Sequence, residues 1–247
     1  LSDATAEQLL VKEKVFAAQE NPLFTVRHLK KRFQNEEGVN DVSFDICEGE
    51  VFALAGESGS GKTTLAKILT GLEQPDSGEV FCRGERVDRK NRKRNKNMHG
   101  KVRMIFQDPY SSLNPCMTIN EMLTETLRAK EKQIKFDQKE RKKDRQRQIE
   151  QMLTRVGLSS LDGKRYPREL SGGQRQKAAI ARALLLEPEL LICDEAVSSL
   201  DAATRTQILD LLLRVVKEKK IACLFISHDM ALIRRISHRT LAGVAVR

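Results

Sequence analysis

What the chain lacks narrows it first. Nowhere do about 20 consecutive apolar residues occur, so no bilayer-spanning helix is expected, and any work at a membrane passes through a partner. Residues 1–20 carry charges throughout and hold no apolar block, so no signal peptide is expected there. The five cysteines, Cys47, Cys82, Cys116, Cys193 and Cys223, make no C-x-x-C pair. Neither a disulfide framework nor a zinc site is therefore expected. Cys193 and Cys223 read as small core residues, and a reducing compartment follows, most simply the cytoplasm. Aromatics are scarce where bases would need them. Phe136 is the only one in the two basic segments, too little to stack a run of bases.

What is present is charge, unevenly spread. The formal net charge is +10. Arg83–Arg103 holds ten Lys/Arg against two Asp/Glu, and Lys130–Arg147 nine against four, so the remainder is slightly acidic. Such a face could meet nucleic acid or an anionic membrane, or simply be solvated. With one aromatic between them, nucleic acid is not the expected partner. A length of 247 residues with a 40% hydrophobic fraction suits one large α/β domain or two small ones.

Residues 56–64 organise the chain. They read Gly56, Glu57, Ser58, Gly59, Ser60, Gly61, Lys62, Thr63 and Thr64, a G-x-x-x-x-G-K-[ST] loop between the apolar run Val51–Ala55 and a helical pattern after Lys62. The glycines let the backbone wrap a polyphosphate with N–H groups inward, and the new helix offers its positive end. Lys62 can reach the outer phosphates, and the Thr63 hydroxyl can hold Mg2+. Ahead of the loop, 1–22 reads as a lead-in or linker, helical and weakly amphipathic, and 23–247 as the folded domain. Strands are expected at 23–29, 42–46, 51–55, 79–82, 102–106, 190–193 and 221–226. Helices are expected after Lys62 to Gly71, at 118–130, 149–156, 171–186, 204–217 and 230–236. Residues 110–117 read as a loop, and 130–148 as an exposed helical extension or a mobile stretch. The alternation is that of an α/β domain with a mainly parallel sheet, interrupted from about 107 to 170 by helices without strands.

Other residues complete a nucleotide site. Leu190–Cys193 is an apolar strand ending in Asp194 and Glu195. A strand tip beside the phosphate loop suits Asp194 as a magnesium-water ligand, with Glu195 turned towards an attacking water. Gln107 follows another buried strand and could reach metal or water; His228 stands at the end of a third. Leu170-Ser171-Gly172-Gly173-Gln174 starts a helix with the capping-box spacing. Its two glycines cost about 1 kcal/mol each in helix stability relative to alanine, yet leave backbone N–H groups open to an anion.

In this order, with Ser199-Leu200-Asp201, these motifs resemble an ATP-binding cassette (ABC) ATPase from about Leu23 to the end of the chain. The resemblance implies a P-loop NTPase core with a mainly parallel sheet, an antiparallel N-terminal β subdomain and an inserted helical signature subdomain. It implies ATP and Mg2+ as cofactors and a head-to-tail dimer with a second cassette. Ser171, Gly172, Gly173 and Gln174 would meet the ATP held by the partner cassette, and Asp201 would act across the interface. Glu195 would be the general base and His228 would hold the terminal phosphate. Phe33 stands where an adenine-stacking aromatic is expected.

Gln107-Asp108-Pro109-Tyr110-Ser111-Ser112-Leu113-Asn114-Pro115, with Asp194-Glu195-Ala196-Val197-Ser198-Ser199-Leu200-Asp201, is similar to the ATPase subunits of dipeptide, oligopeptide and nickel importers. That implies two permease subunits, a solute-binding protein acting indirectly, and a peripheral place on the cytoplasmic face of the cell membrane. A soluble non-transport ABC ATPase acting on nucleic acid or ribosomes is the alternative. Thr240–Val246 only loosely matches the family's strand after the histidine. Together with the leucine start, this fits a fragment or one cassette of a tandem protein.

Overall fold

Strands with both faces apolar set the frame. In the computed structural model, which describes residues 22–33, 36–57, 59–87, 101–131 and 138–242, β3 (Val51–Ala55), β7 (Leu190–Asp194) and β8 (Ala222–Ser227) are buried at every position. With β6 (Val102–Ile105) and β9 (Arg239–Ala242) they form a parallel sheet in the order β6-β7-β8-β3-β9. A parallel sheet needs cover on both faces, and the alternating side chains supply it. Leu191, Cys193, Cys223 and Phe225 join one core with residues of the helical half, including Ile119, Leu123, Leu153, Ile180 and Leu212. Leu190, Ile192, Leu224 and Ile226 join the other, with Phe24, Ile46, Leu65 and Ile68.

The second core lies under an antiparallel sheet ordered β2-β1-β4-β5, from β1 (Phe24–Phe33), β2 (Glu36–Ile46), β4 (Ser77–Cys82) and β5 (Glu85–Arg86). β1 and β2 run further than the expected 23–29 and 42–46, because the sequence signal was limited to the apolar part of each strand. The pairing slips between Val26 and Leu29, with His28 at φ 47°. This bulge returns Leu29 to the buried face although it stands three residues, not two, after Val26. Gly78 accommodates the bulge: its φ is +94°, and a Cβ there would lie 2.5 Å from the His28 carbonyl oxygen.

Among the described residues the helices are α1 (Lys62–Thr70), α2 (Pro109–Ser112), α3 (Ile119–Glu131), α4 (Gln138–Arg155), α5 (Ser160–Gly163), α6 (Gly172–Leu184), α7 (Ala202–Lys219) and α8 (Met230–Ile236), with a 3-10 turn at Pro167–Glu169. Within the expected loop at 110–117, α2 corrects residues 110–112, while 113–117 hold neither helix nor strand. Asp108 accepts the Tyr110 N–H at 2.9 Å and Pro109 occupies the first turn, an N-cap followed by proline that favours a helix start. Residues 138–155 are helical, whereas 132–137, most of the first basic segment, the lead-in 1–21 and residues 243–247 lie outside the described residues. The start of the loosely matching terminal stretch falls in β9, parallel to β3. It is held by Arg239, which donates to the fully buried Glu50 from Nε at 2.6 Å and Nη2 at 2.8 Å.

Candidate functional site

Because β6, β7, β8 and β3 are parallel neighbours in that order, the chain segments leaving their carboxyl ends emerge along one edge. These carry Gln107, Asp194 with Glu195, His228, and the loop 56–61. This is the crevice in which open α/β sheets bind ligands. The Asp194 strand is not a direct neighbour of β3; β8 lies between them. The two ends still come together: the Thr63 hydroxyl lies close enough to the Asp194 carboxylate to pull its pKa down.

The phosphate loop turns through Gly59 at φ +83° and Gly61 at φ +80°. Nothing lies within 4 Å of a Cβ placed on Gly59, so backbone conformation, not space, selects glycine there. Gly61 is the N-cap of α1. No side chain caps that end and no acidic residue stands in its first turn, so the N–H groups of the helix start are offered outward. Lys62 is 5% exposed. Its Nζ donates to the Gly56 carbonyl at 2.9 Å, to the Ser60 hydroxyl at 2.9 Å and to the Glu57 carbonyl. All three ammonium protons are thus spent inside the loop. Burial lowers the Lys62 pKa, opposed by the carboxylates of Glu195 and Asp194. Ser58 lies outside the described residues, and Thr64 is half-buried behind the loop.

Asp194 is 7% exposed. Burial raises its pKa, against which the Thr63 hydroxyl and the Lys62 charge act. Glu195 takes φ +47°, a left-handed conformation that costs a non-glycine residue about 1–3 kcal/mol and persists only where its surroundings over-determine it. They do so here: its N–H donates to the Ile226 carbonyl at 3.1 Å, and its carbonyl accepts from the Ser198 N–H at 3.1 Å and hydroxyl at 2.9 Å. As a result Glu195 Oε1 lies 3.1 Å from His228 Nδ1, a pairing that two residues 33 apart in sequence do not announce. Gln107 is exposed at the sheet edge. A hydroxyl beside a buried carboxylate is the hard-oxygen set that suits Mg2+, and the open loop and helix end suit a polyphosphate, so these residues fit ATP and Mg2+.

The Ser171–Gln174 turn is built separately, as the N-terminus of α6. The capping box is present: the Gln174 N–H donates to Ser171 Oγ at 3.3 Å and Ser171 N–H to Gln174 Oε1 at 3.0 Å. Gln174 Nε2 reaches Asp162 at 3.2 Å, so the amide is committed within its own chain. The two glycines differ. A Cβ on Gly173 would lie 2.5 Å from Thr204 Cγ2, whereas one on Gly172 would meet nothing within 4 Å. Gly173 thus serves packing against α7, next to the N-cap Asp201, which accepts the Thr204 N–H at 3.0 Å. Gly172 leaves surface open. Phe33 ends β1, 46% exposed, with Lys31 Nζ 5.4 Å from its ring centroid.

Sequence reading missed the arginines that tie these parts together. Arg175 lies over the Tyr110 ring at 5.2 Å and donates to the Pro167 carbonyl at 2.8 Å, and Arg182 donates to the Ser112 carbonyl. Helix α6 is thereby fastened to the turn after Gln107. Surface arginines at helical spacing carry no mark of such partners. A cavity of about 220 Å³ lined by Leu23, Met152, Leu184, Val215 and Ile221 lies at the opposite, amino-terminal end of β7 and β8. The phosphate loop and the carboxylates are not there, so residue chemistry rather than concavity identifies the site.

Among known families, the one described as ABC transporter matches residues 39–198. The oligopeptide transport ATP-binding protein OppF of Bacillus subtilis (strain 168) is 42% identical over 222 residues, 88% of this chain and 71% of its own length. The putative oligopeptide transport ATP-binding protein YkfD of that strain is 42% identical over 223 residues, and the chain spans 66% of it. The glutathione import ATP-binding protein GsiA of Escherichia coli (strain K12) is 42% identical over 229 residues, and the chain spans 36% of it. In three dimensions, the ATP-binding cassette MJ0796, solved as a dimer in a post-hydrolysis state bound to ADP and Pi, superposes with a TM-score of 0.76 at 26% identity, covering 89% of this chain and 93% of that one. The cbiO1 structure from Clostridium perfringens, at 24% identity, shares the fold with a TM-score of 0.78 over 90% of this chain and 85% of its own.

Proposed function

From the premise that the chain belongs to the ABC transporter family, as an ATP-binding cassette with ATPase chemistry, we propose that it is the ATPase subunit of a peptide importer. Two such cassettes close head to tail on two ATP molecules, and that closure drives two membrane permease subunits supplied by a solute-binding protein. The observation that carries the reading is the gathering of Lys62, Thr63–Asp194 and Glu195–His228 at adjacent strand ends. The open Gly172 turn stands apart from them as the half of a second site. The relatives named above transport oligopeptides or glutathione, which favours peptide over nickel as cargo and a transporter over a nucleic-acid ATPase. Among the described residues no helix is long and apolar enough to cross a membrane, so attachment at the cytoplasmic face rests on the permeases.

Phosphoryl transfer to water asks the protein mainly for positioning and charge neutralisation. The loop N–H groups and the start of α1 cradle the phosphates. Lys62 exchanges its loop acceptors for phosphate oxygens. Its burial makes that exchange favourable, because a buried ammonium gains more from an anion than from carbonyl dipoles. Thr63 and Asp194, with Gln107 at the edge, are the residues that would hold Mg2+, which would supply charge neutralisation of the phosphates. Glu195 accepts the proton of the attacking water. His228, held 3.1 Å from that carboxylate, places it and meets the terminal phosphate. The partner cassette's counterpart of the Ser171–Gly173 turn closes the site, Asp201 faces across the interface, and Phe33 stacks on the adenine. Glu195→Gln tests this: ATP binding is retained, a closed dimer accumulates in size-exclusion chromatography, and turnover falls by about 10²-fold or more. Unchanged turnover in that variant refutes the assignment of the base.

A further inference from the structure

The segments bearing Glu195, Asp201 and His228 leave different strands or enter different helices, yet beyond the Glu195–His228 contact itself one further side chain reaches both strand-end loops. Arg205, one turn into α7, donates from Nη2 to the Leu200 carbonyl at 3.2 Å and to the Ser198 carbonyl at 3.4 Å. Its Nη1 lies 3.9 Å from Asp229 Oδ2, and its own N–H donates to the Asp201 carbonyl at 2.8 Å. Each contact leads to the site. Ser198 holds the Glu195 carbonyl through its N–H and hydroxyl. Asp229 follows His228 and caps α8, accepting the Leu232 N–H at 3.0 Å. Leu200 precedes Asp201. The guanidinium therefore hydrogen-bonds the 195–201 turn, with its left-handed Glu195, and reaches the 228–229 turn through the longer ion pair.

We propose that Arg205 is a positioning residue for hydrolysis, a strap that fixes the 195–201 turn against the 228–229 turn and so sets the Glu195–His228 spacing. A planar fork with several donors suits two carbonyls and a carboxylate at once, which a lysine point charge does not match. Loss of the strap acts on the hydrolytic step rather than on nucleotide capture, because the phosphate loop and Thr63–Asp194 lie on other elements. Displacing a reacting group by about 1 Å can lower a rate 10²-fold, so a loosened turn is read in turnover. The inference rests on Glu195 as the base.

The test compares Arg205→Ala and Arg205→Lys with the unaltered chain and with Glu195→Gln. Two readouts are used: steady-state ATP hydrolysis, and backbone hydrogen exchange of the protein without nucleotide. Arg205→Ala is expected to lower kcat by about tenfold or more with KM for ATP within about twofold. Exchange should quicken in residues 195–201 and 228–232, and Arg205→Lys should fall between. A kcat within twofold of the unaltered chain, or a KM rise at unchanged kcat, overturns the proposal. So does quickened exchange confined to α7, which would mark a local structural role. If Arg205→Ala fails to fold, Arg205→Lys against Arg205→Gln gives the same comparison. Normal turnover in Glu195→Gln defeats the base assignment, while the exchange readout still judges the strap.

Discussion

Removing Arg239 should destabilise the chain more than removing its partner Glu50, although the two share one bidentate ion pair. Glu50 is completely buried while the Arg239 side chain keeps 29% exposure. The arginine donates twice to Glu50, at 2.6 and 2.8 Å, and once to the Asp45 carbonyl at 2.8 Å, and it lies 5.3 Å from the Phe52 ring centroid. Among the described residues, the one other hydrogen bond to the carboxylate is from the Cys47 N–H at 2.8 Å. Arg239→Met thus leaves a charge in the interior with one donor, a loss of about 3–5 kcal/mol. Glu50→Gln leaves a guanidinium that can turn to water and keep the Asp45 carbonyl, at about 1–2 kcal/mol. The double variant should cost less than the sum, because no unpaired charge remains. Equilibrium unfolding in urea, with the slope checked for constancy, measures all three. If Glu50→Gln costs as much as Arg239→Met, or Arg239→Met costs under about 1 kcal/mol, burial of the carboxylate is not what makes the pair matter.

Further outcomes follow from the glycines and the buried aspartate. Gly173→Ala should destabilise the fold through its contact with Thr204, while Gly172→Ala should leave stability unchanged or raise it by up to about 1 kcal/mol and impair ATP-driven dimerisation. Thermal unfolding and light scattering separate the two, and equal stability losses would refute the distinction. Asp194→Asn should stabilise the nucleotide-free chain at neutral pH while abolishing hydrolysis. Burial raises the folded pKa of Asp194 above the ordinary 3.8. The folded state therefore holds the proton more tightly than the unfolded one, and stability falls as pH rises from 3.8 through the folded value. The advantage of the asparagine variant should accordingly grow over that interval and vanish below it. A melting-temperature gap that does not change with pH would exclude the burial argument.

Local chemistry made much of this protein legible in its sequence. Apolar runs gave the buried strands, glycines with Lys62 and Thr63 gave the turn from β3 into α1, and Ser171 with Gln174 gave a capped helix, since each signal lies within a few residues. Polar stretches hid structure: residues 36–41 continue β2 without an apolar pattern, and α2 was masked by a proline- and serine-rich composition. Other features depend on residues far apart in the chain and exist only in the packed fold. Strand order places β8 between the Asp194 strand and the phosphate loop and brings His228 to Glu195. Packing against Thr204 separates the role of Gly173 from that of Gly172. Long-range pairing buries Glu50 with Arg239 and makes Arg205 an anchor for two loops. Motifs follow from backbone conformation and side-chain type at neighbouring positions, whereas register across strands and contacts between helices arise only once the chain has closed on itself.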